Sequence, residues 1–148
     1  MNIDVKYKKL YADSKVPTYG SEEAAGCDLY AHLDELQIRI EPHTTVKVGS
    51  GMSFELPKGY AGYIFARSGL ATKRGLRPAN CVGVCDSDYT GEYIVAVHND
   101  TDVVQVINHN DRIAQVVFMP ICQANFIEVE ELTETERGSG GFGSTGTN

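Results

Sequence analysis

The sequence predicts an all-β domain with one short helix, of the sandwich, jelly-roll or barrel type. Apolar and polar residues alternate with a period of two in several short segments, which is the pattern of a strand with one buried face. Turn-forming residues separate these segments. Only Ser68–Arg74 has helical character, for one or two turns. Many short strands with almost no helix favour architectures in which sheets pack on or close onto one another.

Each predicted strand has its own apolar face, and the faces follow one another at close spacing. In chain order they are Ile3, Val5 and Tyr7; Leu36, Ile38 and Ile40; Val46 and Val48; Phe54 and Leu56; Tyr93, Val95 and Val97; Val104 and Val106; and the apolar run Ile113–Ile121. Turns are predicted at Glu41–His43, Pro57–Gly59, His98–Asp100 and His109–Asp111. We expect the last strand to end near Glu131.

Size and charge restrict the function classes. The chain has 148 residues, enough for one domain with a substantial core. Its net charge of −7 argues against a broad basic surface for long nucleic acids. An acidic protein can still bind a small anion where arginines converge. No segment has transmembrane length and the first residues do not resemble a signal peptide, so we expect a cytoplasmic protein without membrane contact.

The four cysteines are expected to be free thiols. They lie at Cys27, Cys81, Cys85 and Cys122, a spacing that contains no CxxC pair and does not indicate zinc. In a reducing compartment several of them would be buried as small apolar residues.

The end of the chain differs in composition from the rest. Five glutamates occur between Glu128 and Glu136, and five glycines follow in Arg137–Gly146. One interpretation is a disordered terminus. The other is a mobile arm whose backbone amides, arginine and hydroxyls close over a nucleotide phosphate, while Phe142 stacks on a base. We divide the chain into a jelly-roll or related β domain, 1–131, and a flexible arm, 132–148.

The segment Asp86–Gly91 is a candidate site at the tip of a β-hairpin. It partly fits a calcium-binding EF-hand loop, but position twelve is Val97 instead of glutamate. Asp and Gly are also ordinary turn residues. The functional alternative is that one carboxylate activates a water while Tyr89 packs against a sugar.

Three other segments are ambiguous when each is taken alone. Ser68 and Gly69 begin the short helix after Arg67, which suits either a helix cap or anion binding by open backbone amides. Gln115 lies near the start of an apolar strand, and Asp28 lies where another strand begins. For these two residues a structural role is the simpler interpretation.

The order of these segments resembles one known family. Ala-Gly-Cys-Asp-Leu is followed by Arg-Ser-Gly-Leu-Ala, then by Gly-Val-Cys-Asp-Ser-Asp-Tyr-Thr-Gly-Glu, Arg-Ile-Ala-Gln and Arg-Gly-Ser-Gly-Gly-Phe-Gly-Ser-Thr-Gly. Together they resemble the trimeric deoxyuridine triphosphatase (dUTPase) family over nearly the whole chain. The resemblance implies a distorted jelly roll, a homotrimer whose three active sites are shared between subunits, and hydrolysis of dUTP to dUMP and pyrophosphate with Mg²⁺. Such a reaction removes dUTP from the nucleotide pool and supplies dUMP for thymidylate synthesis.

The resemblance also implies the site residues. Asp86 matches the catalytic aspartate, which activates water for attack on the α-phosphorus. The substrate-binding set is Arg67, Ser68, Gly69, Asn80, Gly83, Val84, Cys85, Tyr89, Ile94, Gln115, Arg137, Phe142, Gly143, Ser144 and Thr145. Magnesium would be held by the substrate phosphates and water without a direct protein ligand, with Asp28 in its outer shell or supporting the phosphate loop.

Two positions depart from the family pattern, and two other functions compete. Ala66 replaces a common proline, and Cys85 replaces an aliphatic residue beside the aspartate. The first competitor is a deoxycytidine triphosphate deaminase, which shares the fold but needs a carboxylate acting at the base. The second is a non-catalytic nucleotide-binding trimer, which could afford to lose Asp86, Arg137 or Phe142.

Overall fold

The chain is an all-β jelly-roll domain with one short helix, as predicted. The computed structural model describes residues 2–141, so the site residues predicted at Phe142, Gly143, Ser144 and Thr145 lie outside the described residues. The elements are β1 Lys6–Lys9, β2 Thr18–Tyr19, β3 Cys27–Tyr30, β4 Gln37–Ile40, β5 Thr45–Glu55, β6 Tyr60–Phe65, α1 Ser68–Arg74, β7 Leu76–Pro78, β8 Val82–Cys85, β9 Glu92–Asn99, β10 Gln105–Asn108 and β11 Arg112–Pro120. Within this part of the chain, no helix has the length and apolar character needed to cross a bilayer.

The strands form two main antiparallel sheets and a two-stranded ribbon. One sheet has the order β1-β5-β9-β7, the other β2-β3-β11-β6-β8, and β10 pairs with β4. Buried side chains of both sheets form one core. Three aromatic rings link the sheets: Phe54 of β5 contacts Tyr93 of β9 at 4.6 Å between ring centroids and Phe118 of β11 at 6.3 Å. Edge-to-face contacts of this kind add to the free energy of burying the rings.

The pairing register of the five-stranded sheet places the predicted motifs side by side. Asp28 pairs with Gln115, Gln115 pairs with Phe65, and Phe65 pairs with Val82. The four motif segments, which are distant in sequence, therefore meet in one row across β3, β11, β6 and β8. This row positions the candidate site described below.

Most strand predictions are confirmed, with shifted ends. The predicted faces around Val46 and Phe54 belong to one long strand, β5, whose pairing with β9 shifts register between Gly49 and Ser53. That irregularity interrupts the alternation, so the sequence pattern shows two strands. The two shortest strands, β2 and β7, were not predicted because two or three residues are too few to show a period.

Two expectations about the exposed part of the chain are wrong. The last strand ends at Pro120, not near Glu131, because the alternating segment that follows has no paired strand and stays exposed, with Phe126 94% accessible. Of the four free cysteines only Cys27 is buried; Cys85 is half-buried, and Cys81 and Cys122 are exposed.

A predicted turn at His98–Asp100 is also wrong, because β9 continues through Asn99. The Asn99 side chain is fully buried. Its amide nitrogen donates to the carbonyls of Ile40, Glu41 and Val103 at 3.0, 3.3 and 2.8 Å. Its oxygen accepts from the Thr101 amide at 2.9 Å. The side chain thus supplies hydrogen bonds that the backbone between β9 and β10 cannot make.

Replacing Asn99 by alanine should destabilise the domain strongly. The change leaves buried carbonyls without donors, which we expect to lower the free energy of unfolding by about 3 kcal/mol. Thermal unfolding at fixed protein concentration measures the effect. Asn108→Ala is the matched control, because among residues 2–141 its side-chain amide bonds only Asp111, at the exposed end of β10. Equal melting temperatures for the two variants would contradict this role of Asn99.

Candidate active site

Asp28 is the centre of an ion-pair cluster at one end of the motif row. Its Oδ1 accepts from Arg67 Nε at 2.6 Å and its Oδ2 from Arg112 Nη1 at 3.2 Å. The Asp28 side chain is 14% exposed, so water screens this pair less than it screens a surface pair. Both carboxylate oxygens are therefore committed to guanidinium groups, and the Arg67 side chain is held in one orientation.

Gln115, a residue of β11, forms a hydrogen bond with the backbone just after the end of β6. Its Nε2 donates to the carbonyl of Ala66 at 2.9 Å. A Cβ at Gly26 would lie 2.6 Å from Oε1 of Gln115, so only glycine at position 26 leaves room for this side chain. The Gln115 amide thus fixes the backbone immediately before Arg67.

The short helix presents an open first turn beside this cluster. Its N-cap is Arg67, with an extended backbone, and the Arg67 carbonyl accepts from the amides of Leu70 and Ala71 at 3.1 and 2.9 Å. Ser68 is therefore the first helical residue, not the cap. Ser68 and Gly69 are exposed, and the amides of a first turn have no partner inside the helix. The Arg67 guanidinium and these amides provide donors suited to phosphate oxygens.

The hairpin between β8 and β9 encloses a separate cleft of about 240 Å³. All of the hairpin residues predicted for the nucleoside and for catalysis line it: Asn80, Gly83, Val84, Cys85, Asp86, Tyr89 and Ile94. Val84 and Ile94 are unusually exposed for apolar side chains, at 60% and 45%. The cleft therefore offers apolar surface for a flat ring next to a carboxylate.

The hairpin tip is held by contacts that leave the Asp86 carboxylate available. The amide of Tyr89 donates to the Asp86 carbonyl at 3.1 Å, and the Tyr89 hydroxyl donates to the carbonyl of Glu92 at 2.9 Å. The Tyr89 ring packs over Gly91, where a Cβ would lie 2.7 Å from the hydroxyl. Among residues 2–141 the exposed Asp86 side chain has neither an ion pair nor a hydrogen bond, so it is free to bind water.

One residue behind Asp86, Tyr93, was missed in the sequence. Tyr93 is fully buried, and in the described part of the chain its hydroxyl is the buried side-chain atom without a hydrogen-bond partner. Burial raises the pKa of this phenol and also the pKa of the neighbouring Cys85 thiol. A thiol with a raised pKa is a poor nucleophile at neutral pH. Only the alternation of β9 pointed to Tyr93, and it indicated a core residue.

The described hydrogen bond of the predicted arm residue Arg137 joins it to neither group. Its Nε donates to the carbonyl of Gly140 at 2.9 Å within a local turn, and within residues 2–141 it has no ion pair. A single chain therefore brings together Asp28, Arg67 and Gln115 in one group and the hairpin residues in another, but not Arg137.

Comparison with known proteins identifies the family. A family model described as dUTPase matches residues 12–146. The deoxyuridine 5'-triphosphate nucleotidohydrolase of Desulfitobacterium hafniense is 47% identical over 99% of this chain and 97% of its own length. The solved structure of the Staphylococcus bacteriophage 80alpha dUTPase with dUPNHPP superposes with a TM-score of 0.88 at 26% identity, covering 97% of this chain and 98% of that one.

A second solved structure shares the fold at lower identity. It is a mutant dUTPase from phage phi11 of S. aureus that shows the coordination of a structural Mg(II) ion. It superposes with a TM-score of 0.79 at 21% identity, over 88% of this chain and 99% of that one. The motifs, the jelly-roll fold, the matched family model and the 47% identity agree, and this chain belongs to the dUTPase family.

Proposed function

We propose that the chain hydrolyses dUTP to dUMP and pyrophosphate, with Asp86 as the general base. The observation that carries this proposal is the exposed, unpaired Asp86 carboxylate at the edge of the hairpin cleft. In the cell this reaction removes dUTP from the nucleotide pool and supplies dUMP for thymidylate synthesis. Neither competing function fits as well. A deaminase needs its carboxylate at the base, and a binding protein needs no free carboxylate at the cleft edge.

In the proposed reaction, Asp86 accepts a proton from a water that attacks the α-phosphorus. A bond forms between the water oxygen and that phosphorus, the α–β bridging bond breaks, and pyrophosphate leaves. Phosphoryl transfer requires mainly positioning and charge neutralisation from the protein. The hydrogen bonds of Tyr89 at the hairpin tip position the Asp86 carboxylate, because they fix the backbone that carries it.

The phosphate chain would be bound by Arg67, Ser68, Gly69 and Gln115. Asp28 acts as a positioning residue: by accepting from Arg67, it aims the guanidinium before substrate arrives. Preorganised donors of this kind lose little conformational entropy on binding. Gln115 acts in part through the backbone, because it holds the Ala66 carbonyl and with it the start of the phosphate-binding turn.

The cleft geometry supports selection of uracil and deoxyribose. The backbone of Val84–Asp86 and the Asn80 side chain would match the hydrogen-bonding edge of uracil, whereas cytosine would leave buried groups unpaired. A 5-methyl group would collide with the hairpin backbone. The ring of Tyr89 would pack under the sugar, leaving no room for a 2′-hydroxyl.

The positions of the two groups support a site shared between subunits. Arg67 lies two residues beyond Phe65, which pairs with Val82, whereas Asp86 lies at the other end of β8, next to the residue that pairs with Gly62. These positions are about six residues apart along the paired strands, or roughly 20 Å at ~3.3 Å per residue. This separation favours a site in which the Arg67 and the Asp86 that act on one α-phosphorus come from different chains. A homotrimer that places one subunit's Arg67 against another's hairpin satisfies the requirement, as the family resemblance implies.

The C-terminal arm would close the site from the third subunit. In this proposal Phe142 stacks on the uracil, and Arg137 reaches the terminal phosphates together with Gly143, Ser144 and Thr145. Ordering of such an arm over bound substrate would exclude water other than the attacking one. We keep the division of the chain into a domain, 1–131, and an arm, 132–148, as part of this proposal.

In this proposal magnesium enters the site bound to the substrate phosphates. Both oxygens of Asp28 bind guanidinium groups, so this carboxylate is not available as a direct ligand, and the donors near Ser68 are cationic or neutral. Mg²⁺ keeps much of its water shell and prefers phosphate oxygens. The ion would therefore be held by the substrate phosphates and water, without a direct protein ligand, and it would neutralise the charge of the phosphates.

Replacing Asp86 by asparagine should abolish dUTP hydrolysis while binding persists. The amide keeps the size but cannot accept the proton of water, and we expect turnover to fall by about 10³-fold or more. The measurement is pyrophosphate release with Mg²⁺ from dUTP, dCTP, dTTP and UTP. Asp88→Asn, two residues away in the same tip, is the control and should remain active. Release from dCTP or UTP at the rate of dUTP, or an active Asp86→Asn variant, would overturn the proposal.

Replacing Asp28 by asparagine should weaken catalysis through Arg67. Without the carboxylate the guanidinium is no longer aimed, and we expect kcat/KM for dUTP to fall by about 10- to 100-fold. The control is Asp100→Asn, which removes a comparable two-point ion pair with Arg77 elsewhere. If both variants lose stability equally and neither changes kcat or KM, Asp28 has only a structural role.

Truncation after Glu136 should separate assembly from turnover. We expect the shortened protein to remain trimeric in light scattering and to lose most of its dUTP turnover, by about 100-fold if closure positions the phosphates. A chain truncated after Gly146 keeps every arm residue proposed to contact the substrate and is the control. Full activity after the longer truncation would rule out the role of the arm.

A further inference from the structure

Outside the site described above, three side chains with metal-binding atoms converge at one end of the domain. Asp13 lies in the loop before β2, His32 follows β3, and His109 is in the turn between β10 and β11. Nε2 of His32 lies 3.1 Å from Oδ1 of Asp13, and Nε2 of His109 lies 3.4 Å from Oδ2. The three ligand atoms all lie within 4.8 Å of one another.

We propose that Asp13, His32 and His109 form a binding site for a late first-row divalent metal ion of the zinc class. Ligands of a tetrahedral zinc ion at 2.0–2.2 Å are about 3.3 Å apart, which is close to the two nitrogen–oxygen distances in this cluster. Two imidazoles and one carboxylate favour zinc, nickel or copper over the hard ions magnesium and calcium. Three protein ligands leave one position for water.

The surroundings hold the two rings in an orientation that suits ligation. The other nitrogen of His109, Nδ1, accepts from the backbone amide of Leu33 at 3.1 Å in the tautomer whose Nε2 carries the proton. It also lies 3.1 Å from the carbonyl oxygen of Leu33. When Nδ1 carries the proton and donates to that oxygen, the lone pair of Nε2 points at Asp13, which is the usual arrangement of a metal-bound histidine. The ring of His32 stacks on Tyr11 with centroids 4.0 Å apart and planes within 6°, and its side chain is only 9% exposed.

The backbone beneath the cluster is also fixed. The amide of His32 donates to the Gly49 carbonyl, and the amide of His109 donates to the Leu36 carbonyl, each at 2.8 Å. The Asp13 carboxylate, 67% exposed, is the most accessible of the three ligands and completes the site from a short turn. A bound ion would therefore tie the N-terminal loop to the end of the jelly roll.

The test is zinc binding to the untagged full-length chain after treatment with a chelator. Cys81 and Cys122, the exposed thiols, are replaced by serine in every protein so that they cannot bind the ion. We expect one zinc per chain in competition with a chromophoric chelator, and a melting temperature that rises with zinc concentration. Magnesium at the same concentration should give neither effect. Cobalt should bind without the intense near-ultraviolet absorption that thiolate ligands produce.

Asp13→Ala and His109→Gln should each weaken zinc binding by about 100-fold or more, since the loss of even an outer-shell partner typically costs 10- to 100-fold. His43→Gln is the matched control, because His43 and Asp102 form an exposed pair at 2.8 Å with one imidazole only. Melting temperatures and dUTP turnover without zinc check that the variants fold. No zinc binding by the parent protein, or equal affinity in all three variants, would show that the cluster is a hydrogen-bonded group only.

Discussion

The double pairing of β11 with β3 and β6 is the constraint on which the site depends. Because side chains alternate along a strand, a shift of one residue would turn Gln115 into the core and expose Ala114 or Val116. Those two neighbours are fully buried, so the core itself enforces the register. The same register sets Asp28 beside Gln115 and brings the end of β6 to both. Packing of small and branched residues on one face thereby positions the polar groups on the other.

The ion pairs of Asp28 depend on this arrangement. A carboxylate at 14% exposure loses much of its hydration. The attraction of a single cation offsets this desolvation penalty only when the geometry of the pair is good. Here two guanidiniums from different strand ends approach the two oxygens separately. Both carboxylate oxygens of Asp28 are then paired within the protein, while Arg67 has further N–H groups that can donate to an anion. An acidic chain can therefore keep a local site for phosphates.

The features that were predicted correctly are those that depend on residues close together in the sequence. The helix Ser68–Arg74 matches residue for residue, because Gly75 ends it in a left-handed conformation. The hairpin tip was found because Asp and Gly recur in turns. Asn99 was misjudged as a turn residue, since nothing in its neighbours reveals that it bonds the distant carbonyls of Ile40 and Glu41. The pairing of Asp28 with Arg67 and Arg112, and the meeting of Asp13 with two histidines, arise from tertiary contacts that no spacing encodes.

The proposed assembly would account both for the exposed segment after β11 and for the separation of the phosphate-binding residues from the hairpin cleft. Four apolar side chains of this segment are exposed in the single chain: Phe126, Ile127, Val129 and Leu132. Burying each of these side chains stabilises the protein by about 1.5–3 kcal/mol. A neighbouring subunit could bury them, whereas in the single chain they face water. In the proposed assembly, packing of this segment on a neighbour would also carry Arg137 away from its own hairpin. The apolar residues before the arm would therefore provide the binding energy for assembly, and the glycines after them the freedom to close over the substrate.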